Sequence, residues 1–132
     1  MITYAVAHLK VQHVVICGHS GCGGVAAALG NTRLGVLDTW LSPLRELRAR
    51  NVKKWKAEGL SEGDIAKKMI EENVRAGVRV VKRNAEVVVA MKERGLDVHG
   101  VVYEIGEGTL REVDCGEDEE EASARVEAFH IH

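Results

Sequence analysis

The sequence predicts an α/β fold in which a small, mainly parallel sheet is flanked by helices, and three observations lead there. The run His13-Val14-Val15-Ile16-Cys17 is nearly all apolar, the habit of a parallel strand buried on both faces. Gly18 to Gly24 follows it at once with a density of glycine that suits neither helix nor strand interior and fits a loop bringing backbone close to something else. After a long stretch of helical periodicity, two further strand patterns stand either side of Gly106-Glu107-Gly108, as in a hairpin.

Taken in order, Ile2, Val6 and Leu9 recur at helical spacing and predict a short amphipathic helix leading into the first strand. Beyond the glycine loop, Val25 to Leu29 restarts a helix that Gly30-Asn31 stops. Leu41, Leu44, Leu47 and Val52 mark a second helix within 37–55, with Ser42 expected as N-cap and Pro43 in its first turn. Ser61, with Asp64 three residues on, is a helix-start signal. Ile65, Met69, Val74, Val78 and Val81 carry the stripe onward, and Gly95 closes the helical region after Arg94. Val98 to Ile105 and Thr109 to Cys115 are the hairpin strands. One parallel-type strand plus a hairpin is a thin sheet, so neighbours for His13 to Cys17 are expected to be missing or supplied by another chain.

The 132 residues form one domain, 1–132, with an acidic segment at 117–121 and a C-terminal tail. At 45% apolar and 29% charged residues the composition is that of an ordinary folded protein. A net charge of −2 argues against a nucleic-acid partner. The basic side chains gather between Arg45 and Arg94, and the run Glu117 to Glu121 is expected to be a self-repelling, solvated stretch. No apolar run is long enough for a membrane span and no leader is recognisable, so the expected partners include no membrane and the expected location is cytoplasmic. Cys17, Cys22 and Cys115 do not form a disulfide framework and read as reduced thiols or metal ligands.

Chemistry concentrates in Cys17-Gly18-His19-Ser20-Gly21-Cys22-Gly23-Gly24. A phosphate-binding loop is excluded, because Gly24 and Val25 stand where Lys and Ser or Thr are required. A nucleophile elbow, and with it acyl transfer, is poorly supported, because Cys22 replaces its second glycine. His19 and Cys22 combine imidazole and thiolate, the preferred zinc donors, three residues apart. Spacing alone explains them equally well as a loop histidine satisfied by backbone and a small packed thiol.

The segment from Tyr4-Ala5-Val6 through Val14 to Gly24 resembles the zinc-binding segment of the β-class carbonic anhydrases, and Trp40-Leu41, Glu72-Asn73-Val74, Val98 to Glu104 and Gly108-Thr109-Leu110 resemble that family's later landmarks in order. The resemblance implies a β-carbonic anhydrase-like fold and a zinc ion (Zn2+) held by His19 and Cys22, with Gly23 and Gly24 at the substrate position. It also implies reversible hydration of carbon dioxide to bicarbonate and a proton, in a homodimer or larger homo-oligomer. Cys17 matches a family cysteine that does not bind metal. The family's Cys-x-Asp-Ser-Arg segment has no counterpart here, so the chain reads as N-terminally shortened, with the first strands missing. No catalytic residue is assigned, a third zinc donor must be found, and weak activity is expected. Cys17, Cys115, His99, His130 and His132 are the candidates for that donor, although His99 is expected to serve the strand entrance, and His8 and His13 to be surface or capping residues. The alternative is a non-catalytic homologue with a structural or vacant metal site, acting as an assembly or binding protein.

Overall fold

The computed structural model describes residues 1–129. A single turn of π-helix, Tyr4–His8, is followed by strand β1 (His13–His19), and the site loop then leads into helix α1 (Gly23–Leu29). Helices α2 (Leu37–Ala57), α3 (Glu62–Lys82) and α4 (Ala85–Arg94) come next, then strands β2 (Asp97–Glu104) and β3 (Thr109–Val113) and helix α5 (Glu119–Glu127). The sheet has the order β1-β2-β3, with β1 parallel to β2 and β2 antiparallel to β3.

The expected α3 stripe forms as read. Ser61 caps the helix by accepting from the Asp64 N–H at 3.2 Å, and Ile65, Met69, Val74, Val78 and Val81 are all buried. This face lies along β1 and β2, and contact is possible because the strands present glycine to it. A Cβ on Gly18 would stand 2.7 Å from Val74 Cγ2, and one on Gly100 would stand 2.6 Å from Val74 Cγ1. Each fully buried Val or Met contributes about 1.5–3 kcal/mol, so α3 is the main support of the sheet. Leu41, Leu44, Leu47, Val52 and Trp55 of α2 join the core around Ile65, Met69 and Val74, while Val78 and Val81 pack with Val6, Val87 and Val98 in a second one.

Five expectations are corrected. Leu9 is exposed, because the π-helical turn buries only Val6. β1 is not buried on both faces: it is an edge strand whose outer residues, His13, Val15, Cys17 and His19, are exposed, while Val14 and Ile16 are half-buried toward the helices. Ser42 is no cap and Pro43 lies inside α2. The helix starts earlier because Gly35 takes the left-handed φ of +64° and the Asp38 carboxylate accepts from the Leu34 N–H at 3.0 Å. Pro43 faces solvent there, where water can satisfy the carbonyl left without a donor. The long helical region breaks at Asn84, whose side chain accepts from the Glu86 N–H and caps α4; Gly95 ends that helix at φ +70° as expected.

The fifth correction concerns the acidic run, which is the start of α5. Asp118 and Glu121 form a capping box, and Glu117 pairs with Arg125 at 2.6 Å. Carboxylates are favoured at a helix N-terminus by its unpaired N–H groups and dipole, which outweighs their mutual repulsion here. Among the described residues no helix is long and apolar enough to cross a membrane.

Candidate metal centre

Strand alternation puts His13, Val15, Cys17 and His19 on the outer face of β1. The loop after His19 is tied to the end of β2 at two points: the Ser20 N–H donates to the Tyr103 carbonyl at 2.9 Å, and Ser20 Oγ accepts from the Ile105 N–H at 2.8 Å. His19 Nδ1 lies 2.8 Å from the Ser20 carbonyl. A carbonyl only accepts, so Nδ1 carries the proton, and in the neutral ring Nε2 keeps a free lone pair. A backbone-fixed tautomer of this kind is how metal-binding histidines are oriented.

Gly21 turns the chain at φ +65°, a conformation that disfavours any residue with a Cβ. The loop then delivers Cys22 to the N-cap position of α1, where its carbonyl accepts from the Ala26 N–H at 3.0 Å. The Cys22 thiol is free and half-buried against the core. At Gly23 no heavy atom lies within 4 Å of a Cβ position, whereas at Gly24 the Trp40 ring lies at 3.4 Å and Cys22 Sγ at 3.8 Å. The loop thus offers an imidazole nitrogen and a thiol, with open space at Gly23 and the Trp40 ring against Gly24. Both donors suit zinc, so the residues present fit that ion as part of a ligand set.

The other sequence candidates are dispersed. Cys17 shares His19's face and is exposed, with its Sγ 3.4 Å from the Gly18 carbonyl oxygen. Cys115 lies behind the sheet, where a Cβ on Gly100 would meet its Sγ at 2.5 Å. Burial pushes the Cys115 thiol up, against the opposing influence of Arg75 and Lys82. It is a packing residue on the face away from His19. His8 stacks on Tyr4 with ring centroids 5.6 Å apart. His130 and His132 lie outside the described residues.

His99 is far from the loop, at the opposite end of the β1–β2 ladder, and so is His13. His13 is a surface residue and His99 stands near the start of β2, as expected, and the two also meet. His13 Nδ1 lies 3.0 Å from His99 Nε2, and Asp97 Oδ2 lies 3.6 Å from that same nitrogen. Among the described residues this trio is the group of three or more metal-ligating side chains that converges, and no third such side chain joins His19 and Cys22. The sequence signal for it was weak: Asp97-x-His99 alternates onto one strand face, but nothing local announces that His13 lies opposite.

Comparison with known proteins bears on the whole chain. Residues 1–110 match a family model described as carbonic anhydrase. A carbonic anhydrase of Candida albicans is 37% identical over 133 residues, covering 100% of this chain and 46% of the relative. One from Emericella nidulans is 39% identical over 115 residues, covering 86% of this chain and 50% of the relative. Among solved structures, a β-carbonic anhydrase of Aspergillus fumigatus superposes with a TM-score of 0.92 at 47% identity, covering 99% of this chain and 62% of that one. The chain spans about half the length of the curated relatives it matches.

Proposed function

The chain belongs to the β-carbonic anhydrase family, and from that premise we propose that His19 and Cys22 hold zinc for the reversible hydration of carbon dioxide to bicarbonate and a proton. The observation that carries this reading is the loop itself. His19 has its Nδ1 proton committed to the Ser20 carbonyl, with a free thiol three residues on, in a segment inside the family match. When bound, zinc supplies the Lewis acidity that lowers the pKa of a coordinated water toward neutrality.

The residues of this chain have distinct tasks. Ser20, held by two hydrogen bonds to the β2 end, keeps the loop from closing on the site. Its carbonyl fixes the His19 ring, so Nε2 is the donor. Gly23 and Gly24 leave room for a small linear substrate, and the Trp40 ring gives that room an apolar wall. Self-association is part of the proposal. Val15, Trp40, Tyr103 and Leu110 are exposed apolar residues, and a partner chain could cover them. The relatives solved from Sordaria macrospora, one of which superposes at 46% identity and a TM-score of 0.81, covering 89% of this chain and 59% of that one, are described as tetrameric.

Hydration by residues 1–132 alone is expected to be slow. They contain no Cys-x-Asp-Ser-Arg run, and losing one orienting or proton-transferring group costs ~100- to 10,000-fold. The same observation favours a second reading, a non-catalytic homologue whose metal is structural. Stopped-flow hydration with and without chelator, beside metal analysis and His19→Ala, separates the two. A slow rate abolished by chelator and by His19→Ala supports the enzyme. A rate indifferent to both, in a parent chain whose zinc His19→Ala removes, supports the structural role. Gly23→Ala, which meets nothing within 4 Å, should keep the metal and lower the rate if substrate sits there.

A further inference from the structure

We infer that His13, Asp97 and His99 form a second site for a zinc-type divalent cation, separate from the His19–Cys22 loop and independent of the function proposed for it. Parallel register places His13 opposite Asp97 and Val15 opposite His99, and alternation along a strand puts Asp97 and His99 on the face that carries His13. One donor atom from each of the three side chains lies within 4.8 Å of the other two. His13 Nδ1 and His99 Nε2 are 3.0 Å apart. Two nitrogens bound to one ion at about 2.0–2.1 Å each span a gap of this size. Asp97 is already oriented: its Oδ1 accepts from the Val98 N–H at 3.0 Å, which leaves Oδ2 toward His99 Nε2 at 3.6 Å.

Two imidazoles and a carboxylate are the donor set of zinc and the neighbouring first-row divalent ions, whereas calcium and magnesium prefer oxygen throughout. Without a cation, the two ring nitrogens can satisfy each other only if one is protonated and the other is not. His13 and Asp97 are exposed and His99 is half-exposed, so an ion can enter from solvent and keep water in its remaining positions. Six strand steps separate His13 from His19, about 20 Å at 3.3 Å per residue, so no single ion serves both. A bound ion would tie the starting ends of β1 and β2 together and raise thermal stability with metal concentration.

The test is zinc titration by calorimetry on the full chain carrying His130→Gln and His132→Gln, which removes the terminal His-Ile-His pair as a competing chelator. Adding His19→Ala with Cys22→Ser should leave one equivalent of zinc bound. Adding His13→Gln or His99→Gln to that background should weaken it ~100-fold or more, since even losing a group that merely supports a ligand costs 10- to 100-fold. Cobalt gives a second readout that needs only the single loop change Cys22→Ser: the site in question yields a spectrum without thiolate charge transfer, which persists in that variant and is lost with His13→Gln or His99→Gln. If the His19→Ala, Cys22→Ser chain remains folded by circular dichroism and binds no zinc, or binds it regardless of His13→Gln and His99→Gln, the inference is overturned. Failure of the loop reading looks different: the parent chain then binds a single equivalent that His19→Ala and Cys22→Ser leave untouched.

Discussion

The two ends of β1 assemble their donors in opposite ways. At the C-terminal end, His19 and Cys22 lie three residues apart on one loop, fixed by Ser20 and Gly21. At the N-terminal end, His13 meets His99 across 86 residues of chain, brought there by strand register alone. The proposed loop site is locally encoded and incomplete, with two candidate donors among the described residues. The inferred register site is globally encoded and brings three candidate donors together. A site of the first kind survives changes in packing that would dismantle one of the second kind.

The sharpest way to break this contrast is to remove a loop donor. Cys22→Ser should cost the loop its metal, with affinity falling by more than ~100-fold because a neutral hydroxyl replaces a thiolate. Zinc analysis after dialysis measures this, and stoichiometric loop zinc in the variant would refute the assignment. The matching change in packing is Gly100→Ala. Its Cβ would fall 2.5 Å from Cys115 Sγ and 2.6 Å from Val74 Cγ1, and overpacking of this kind costs ~1–3 kcal/mol. Urea denaturation should register that loss, and Val74→Ala on top should return part of it. By moving β2 against α3, Gly100→Ala should weaken metal binding at His13 and His99 more than at the loop; equal weakening at both would erase the distinction drawn here.

Gly21→Ala probes the loop in the reverse sense. No heavy atom lies within 4 Å of the new Cβ, so the φ of +65° alone sets its cost, about 1–2 kcal/mol. Metal affinity at the loop should fall while the His13 end is unchanged, as calorimetry on the two separate sites would report.

The smallest effect concerns Cys115. Burial holds its thiol above the ordinary value of 9.0, so as pH rises the unfolded chain releases this proton before the folded one does. Its contribution to stability is therefore full below pH 9 and is lost as pH climbs toward the folded value. Cys115→Ala should flatten the alkaline fall in melting temperature, whatever it does to stability at neutral pH. In the unaltered folded chain, Cys17 should alkylate before Cys115, in keeping with the exposure of Cys17 and with the burial that holds the Cys115 thiol up; the reverse order in a mass-spectrometric time course would show that Cys115 is not packed as described.

Much of this molecule was readable from the chain alone wherever a short segment determines its own structure. The Ser61 cap, the Ile65-to-Val81 stripe, the Gly95 stop and the Gly106–Gly108 hairpin all formed where periodicity and turn chemistry put them, because each depends on neighbours within a few residues. The glycine loop between β1 and α1 formed where expected for the same reason. Local reading failed where a competing signal lay outside its window. Gly35 and Asp38 started α2 ahead of Ser42, Asn84 split one apparent helix into two, and Asp118 with Glu121 turned a repelling run into a helix start.

Tertiary structure alone decided the rest. An apolar run such as His13 to Cys17 specifies a strand but not the number of neighbours, so the exposed outer face of β1 followed from its place at the sheet edge. The meeting of His13, Asp97 and His99 required the pairing register of β1 with β2. A shift of one residue turns every side chain to the other face, and that register is set by the packing of Gly18 and Gly100 against α3, a contact that no short stretch of sequence contains.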